Sequence, residues 1–152
     1  MDHSATHAAR RDAGTLPAFQ AIRTWYELRT TVQPILGDRL TLLFAHAVSA
    51  GSGSPSCAAY FRRLLTQAGE DPDAPTLDQR EAAVVAYGRC LGDDPYRVPA
   101  AAHAGMAEHF DGPDLVALAT FGALMVATRV LNTTLELPLA DYIGTLRRAE
   151  VY

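Results

Sequence analysis

Residues 42–61 read LLFAHAVSAGSGSPSCAAYF, and the fold prediction depends on this stretch more than on any other. Its first half continues a helical spacing of apolar residues, at Leu40, Leu43, Phe44, Ala47 and Val48. Glycine, serine and proline between Ala50 and Ser56 then interrupt that spacing. The helical spacing resumes at Tyr60, Phe61, Leu64 and Leu65, with Pro55 suited to the first turn. The stretch therefore predicts two helices joined by a short Gly/Ser turn.

The rest of the chain shows the same succession of helical patterns and breaks. Further helices are predicted over residues 16–32, 77–91, 99–110 and 115–135, with a short piece after Pro138. Pro34 is expected to stop or kink the first helix, Asp38 to cap the next one, and Thr76 to Gln79 to form a capping box. Because no strand pattern occurs, the sequence predicts an all-α bundle of about six or seven helices.

Length and composition fit one globular domain. The chain has 152 residues, of which 49% are hydrophobic and 20% charged. A chain of this size can bury a single core. Residues 1–14 are polar and are expected to form a flexible tail, and residues 15–152 one helical domain.

Charge and residue usage exclude several classes of function. The net charge is −4 and no block of basic residues occurs, so no nucleic-acid partner is predicted. All 13 basic residues are arginine, which excludes a Schiff-base or phosphate-loop lysine. Two cysteines, Cys57 and Cys90, are too few for a disulfide scaffold. His103 and His109 are six residues apart and do not share a helix face, so no metal site is predicted.

No membrane segment is predicted either. The longest apolar run, 115–126, is shorter than the roughly 18–20 residues that span a bilayer. The first 14 residues lack the apolar stretch of a secretory signal. We therefore expect a soluble, cytoplasmic protein.

Two stretches together carry a resemblance to a known family. The first is 42–61; in the second, 77–139, the run Asp78 to Glu81 heads a helix and Thr128 to Asn132 precedes Leu137-Pro138. This order of helices and breaks resembles the carboxymuconolactone decarboxylase and alkylhydroperoxidase D-like superfamily, over roughly residues 22–142. The resemblance implies that superfamily's helical bundle and a homo-oligomer, either a dimer, a trimer or a hexamer.

The resemblance also implies where the active site lies. Redox members carry a Glu, eleven residues, Cys-x-x-Cys, three residues and a His. Leu42 stands at the Glu position, Ser54 at the first Cys, Cys57 at the second and Phe61 at the His. Only the attacking cysteine is retained, and Ser54 cannot form the disulfide of the two-cysteine cycle.

Two residues are the candidate catalytic groups. Cys57 falls in the first turn of a helix, where backbone amides favour the thiolate, and a lone thiolate can reduce a peroxide through a sulfenic acid. His46 lies one helical turn after Leu42 and could act as a general acid or base in the same cavity. The alternatives are an inert, packed thiol and a packed histidine bonded to a carbonyl.

Candidate substrate-binding residues surround these two groups; they are Leu42, Ser54, Tyr60, Phe61 and Arg129. The hydroxyl of Ser54 could instead cap the third helix, and Tyr60 could simply pack in the core. Arg129 could pair with Glu136 or with a carboxylate of a neighbouring chain.

Three functions follow from this pattern. The leading one is an enzyme acting on an apolar or aromatic small molecule, by acid–base or single-cysteine chemistry, without a cofactor. The second is a thiol peroxidase, using one cysteine or the pair Cys57 and Cys90. The third is a non-catalytic, oligomeric binding or scaffold protein that keeps only the fold.

Overall fold

The computed structural model describes residues 27–135. This part of the chain contains five helices and no strand, which confirms the all-α class for the described residues. The helices are α1 (Leu28–Gly51), α2 (Pro55–Gln67), α3 (Gln79–Asp93), α4 (Ala100–Ala107) and α5 (Gly112–Leu135). The tail predicted over 1–14, most of the helix predicted over 16–32 and the piece after Pro138 lie outside the described residues.

Helix α1 merges two predicted helices across a kink. The sequence predicts the break at Pro34, but the non-helical residue is Gly37, with φ 78° and ψ 165°, and Pro34 lies inside the helix. Proline removes one backbone hydrogen bond, whereas the positive φ of the kink is a conformation that glycine adopts without steric cost. The kink is therefore located where the chain has glycine. The side chain of Asp38, predicted to cap a new helix, accepts a hydrogen bond from Gln33 instead.

Helices α1 and α3 run in the same direction and approach closely. The guanidinium of Arg80, at the start of α3, donates a hydrogen bond of 2.6 Å to the carbonyl of Ile35. At the other end a Cβ on Gly92 would lie 2.2 Å from the carbonyl oxygen of Val48. Between them a Cβ on Gly88 would lie 2.8 Å from the ring of Phe44. The two glycines, four residues apart on α3, let the helix backbones meet.

The remaining helices enclose this pair. Helix α2 packs on α1, α4 packs mainly on α3, and α5 contacts both α1 and α3. Arg39 of α1 holds the loop between α2 and α3 against α1. It forms salt bridges with Glu70 and Glu81 and donates a 2.9 Å hydrogen bond to the carbonyl of Thr76. The largest fully buried side chains form the centre of the core: Phe44, Leu65, Met106, Leu118, Leu124, Val32, Val48 and Val84.

Helix ends follow the sequence signals in part. Gly69 ends α2 with a φ of 82°, at the residue predicted to stop it. The capping box of α3 is formed by Asp78 and Glu81, and the prediction of Thr76 and Gln79 was wrong by two residues. Both pairs fit the same spacing pattern, and the carboxylates of the second pair satisfy the orphan amides.

Helix α5 is more apolar than its burial requires. Its window Gly112–Leu131 has 20 residues and a mean hydropathy of 1.7, and 33% of that window is buried. By length and composition this helix could cross a membrane, although core helices of soluble proteins pass the same test. The apolar stretch is thus longer than the run 115–126 on which the sequence prediction was based.

Candidate functional site

The turn between α1 and α2 is held by its own backbone and hydroxyl groups. The amide of Ser52 donates to the carbonyl of Val48 at 2.9 Å, and the amide of Ser54 donates to that of Ser49 at 3.2 Å. The buried hydroxyl of Ser52 donates to the carbonyl of Ser49 at 2.9 Å. Gly53 has a φ of 64°, which other residues rarely adopt. The turn therefore fixes where α2 begins relative to the end of α1.

Cys57 is the third residue of α2 and is 7% exposed. Its neighbours in sequence, Ser56 and Ala58, are more accessible, so the thiol faces the interior of the bundle. Cys90 on α3 is half-buried, and both cysteines are free thiols. The prediction that Cys57 lies in the first turn of the helix after the Gly/Ser turn is confirmed. Its reactivity remains a prediction.

Ser54 lies at the N-cap position of α2 with an extended backbone, φ −97° and ψ 93°. Its hydroxyl makes no capping hydrogen bond, so the capping role weighed from the sequence was wrong. Pro55 at the first helical position has no amide hydrogen that needs a cap, which reduces the demand for one. The half-buried side chain of Ser54 therefore does not cap α2.

His46 is half-buried on α1. Burial lowers the pKa of its imidazole from the ordinary 6.5, and the positive charges of Arg62 and Arg89 lower that pKa further. The carboxylate of Asp73 acts in the opposite direction with the smallest effect. These surroundings favour the neutral imidazole, which is the form that can accept a proton.

Leu42 precedes His46 by one helical turn and packs half-buried against the hydrophobic core. Phe61, one turn after Cys57, also packs against the core. Its ring meets that of Tyr60 edge to face, with 5.1 Å between centroids, and Arg63 lies 5.6 Å from the centre of the Tyr60 ring. Leu42 and Phe61 thus pack against the core, and Tyr60 is half-buried beside Phe61.

Arg129 reaches the turn from α5. Its Nη2 atom lies 3.8 Å from the position that a Cβ would occupy on Gly53. The structure therefore places the guanidinium of Arg129 beside Gly53, the residue before Ser54. Glu136, the partner weighed for Arg129, lies outside the described residues.

Two surface cavities lie near these elements. One, of about 440 Å³, is lined by Ala50, Gly51, Arg89, Cys90 and Asp93. The other, of about 810 Å³, lies along α5. Neither of the two is lined by Cys57 or His46. Arg89 lines the smaller cavity, and its positive charge also acts on the imidazole of His46.

Sequence reasoning missed the charges around His46. Arg62 forms a salt bridge with Asp73, from the loop between α2 and α3, and Arg89 comes from α3. The sequence places Arg62 five residues after Cys57, which is the one local indication of a charge near the site. No local pattern relates Asp73 or Arg89 to His46. Their charges act on His46 because α2 and α3 both pack on α1.

Across residues 27–135, no group of three or more His, Cys, Asp or Glu side chains could hold a metal ion. Comparisons with models of known protein families, with curated proteins and with solved structures found no match. Residues 27–135 define a structural class, an all-α bundle with a buried cysteine in the first turn of one helix and a half-buried histidine on the helix before it.

Proposed function

We propose that the chain is a diverged enzyme of the carboxymuconolactone decarboxylase-like type, acting on an apolar or aromatic small molecule by acid–base chemistry without a cofactor. His46 serves as the base. The same proposal includes a bundle of six or seven helices, a homo-oligomer and a cytoplasmic location.

The environment of His46 is the observation that carries the proposal. A surface histidine is about one quarter protonated at pH 7, given an ordinary pKa near 6.5. Burial and the charges of Arg62 and Arg89 move the equilibrium further towards the neutral imidazole. A general base is most effective when it is deprotonated at the working pH and near the reacting group.

The arginines around the site suit the same role. When His46 accepts a proton, the cations at Arg62 and Arg89 disfavour the imidazolium and promote return of the proton to the product. Arg129, beside the Gly53 turn, offers a planar cation to a negative charge on the substrate or intermediate.

Acid–base chemistry agrees with the burial of Cys57 better than peroxide reduction does. Peroxide-reducing thiols are accessible to their oxidant, and Cys57 is 7% exposed. In the proposed enzyme the buried thiol of Cys57 packs inside the bundle as a small apolar group. The thiol peroxidase and the non-catalytic scaffold are therefore the outcomes against which the proposal is tested.

The test is metabolite profiling with the purified protein. A small-molecule extract of cells is incubated with the wild type, His46→Ala, Cys57→Ala and His103→Ala, and mass spectrometry records which metabolites disappear. His103 is an exposed histidine that meets Tyr87 edge to face at 5.5 Å, so its variant is the matched control.

We expect at least one apolar or aromatic metabolite to be consumed by the wild type and by His103→Ala but not by His46→Ala. Consumption by all variants alike would remove His46 from the chemistry. If no metabolite changes and the wild type instead reduces peroxide with a sulfenic acid on Cys57, the protein is a thiol peroxidase. If neither occurs, the scaffold interpretation holds.

A further inference from the structure

The loop between α2 and α3 forms an arch whose two ends are held by one arginine. Glu70, at its start, and Glu81, just beyond its end, both form salt bridges with Arg39 of α1. The guanidinium of Arg39 also donates to the carbonyl of Thr76 at 2.9 Å. The side chains of Glu70 and Glu81 are only 16% and 20% exposed. We call residues 70–77 the arch, and both of its ends are fixed to α1.

The middle of the arch is held more weakly than its ends. Asp73 forms a salt bridge with Arg62 of α2, and these side chains are 63% and 49% exposed. Exposed ion pairs stabilise little, and salt weakens them. Within residues 27–135, no backbone hydrogen bond joins residues 71–77 to another backbone group, and Pro72 is the one buried residue among these seven. The middle of the arch therefore depends on one exposed ion pair and on the burial of Pro72.

The arch lies on the face of α1 that carries His46. Arg39 and His46 are seven residues apart, which places them on one helix face about 10 Å apart along the axis. Glu70 follows the end of α2 and pairs with Arg39, so α2 runs back along α1 and brings Arg62 towards His46. The pKa of His46 responds to the charges of Arg62 and Asp73, and the imidazole in turn lowers the pKa of Asp73. The ion pair therefore lies near the half-buried imidazole.

We propose that the arch is a lid for the imidazole of His46, and that the ion pair between Arg62 and Asp73 is its latch. With the latch formed, the middle of the arch shields the imidazole from that side. With the latch broken, residues 71–75 move away while Arg39 keeps both ends in place. As a gate for substrate the lid rests on the proposed function, whereas its opening can be measured without a substrate.

The rate at which diethyl pyrocarbonate modifies His46 in the full chain tests the lid. This reagent transfers an ethoxycarbonyl group to a neutral imidazole nitrogen. At about pH 8 an imidazole with an ordinary pKa near 6.5 is neutral, so the rate reports access rather than protonation. Peptide mass spectrometry measures the modification of each histidine. His103, exposed on α4, reports the activity of the reagent in the same sample.

Two variants break the latch with opposite effects on the charge around His46. Asp73→Asn removes a negative charge and Arg62→Gln a positive one, so a faster reaction in both separates opening of the lid from electrostatics. Asp71→Asn is the matched control. It removes the same charge from the same loop and keeps the side-chain oxygen that accepts from the amide of Asp73 at 2.9 Å.

We expect His46 to react about two- to fivefold faster in Asp73→Asn and in Arg62→Gln, the change that loss of an exposed ion pair allows. The rate in Asp71→Asn should equal that of the wild type, and the rate at His103 should be the same in all four proteins. Alkylation of the buried thiol of Cys57, read in the same peptide maps, should stay slow in each variant, because only the arch moves.

Several results would overturn the lid: an unchanged rate at His46 in either latch variant, an equal rise in Asp71→Asn, or a rise that exposes Cys57 as well, since the whole bundle would then be loosened. The test uses no substrate, so its failure is distinguishable from failure of the proposed function. A lid without an enzyme changes the modification rates and leaves the metabolite profile unaltered, and an enzyme without a lid does the reverse.

Discussion

At the scale of single residues, the proposed chemistry depends on His46. Its imidazole is half-buried on α1, and the charges that act on it come from α2, from α3 and from the loop between them. The sequence indicated His46 through its helical spacing from Leu42. The direction of its pKa shift could not be read from the sequence, because Arg62 and Arg89 lie 16 and 43 residues further along the chain. Only the folded chain brings their charges near the imidazole.

The pKa of His46 should therefore respond to these arginines. We expect a value below 6.5 in the wild type and a higher value in Arg62→Gln and in Arg89→Gln, because each change removes a positive charge that disfavours the imidazolium. NMR titration of the imidazole carbon resonances measures this directly. Arg63→Gln is the control, since Arg63 packs on Tyr60; an equal rise in that variant would show that general charge, not position, sets the pKa.

At the scale of elements, the succession of helices was largely predictable and their contacts were not. Periodicity and breaks identified α2 to α5, because amphipathic spacing and Gly/Pro signals are local properties. The direct contact of α1 with α3 depends on Gly88 and Gly92, whose role appears only when Val48 and Phe44 pack against them. The site was predictable to the same degree. The positions of Cys57 and Ser54 at the start of α2 follow from the local Gly/Ser turn, whereas the charges around His46 depend on how the helices pack.

Gly92→Ala tests the contact between α1 and α3. An added methyl group would lie 2.2 Å from the carbonyl oxygen of Val48, so the backbones must separate. We expect a loss of about 2–3 kcal/mol in the free energy of unfolding, measured by urea denaturation. Gly105→Ala is the matched control: its Cβ would meet Ala83 at an ordinary 3.8 Å, and higher helix propensity should stabilise the chain by up to about 1 kcal/mol. Equal effects of the two changes would contradict the close approach.

The capping box of α3 offers a second test at this scale. Asp78→Ala removes the side chain that accepts from the amide of Glu81 at 2.8 Å, and should cost about 1 kcal/mol. Thr76→Ala, at the position that the sequence pattern favoured, should change stability little, because only the backbone carbonyl of Thr76 is used, by Arg39. Thermal unfolding of both variants decides between the two caps; a larger loss in Thr76→Ala would favour the sequence pattern.

At the scale of the whole molecule, His46 links stability to pH. Its pKa is lower in the folded chain than in the unfolded chain, so below about pH 6.5 the unfolded state binds the proton more readily. Its contribution to stability is therefore complete above that pH and is lost as the pH falls through the folded-state pKa. Urea unfolding between pH 7.5 and 5 should show stability falling on acidification, and less steeply in His46→Gln. An unchanged slope in that variant would assign the pH dependence to other groups.

The central claim is that His46, whose surroundings favour the neutral imidazole, is the base of an enzyme. The most direct test is the pH dependence of kcat/KM for the metabolite that the wild type consumes, set beside the NMR titration of His46. The account predicts that activity rises with pH through the measured pKa of His46 and that Arg89→Gln moves both values upward together. An activity profile that stays in place while the pKa of His46 rises would contradict it.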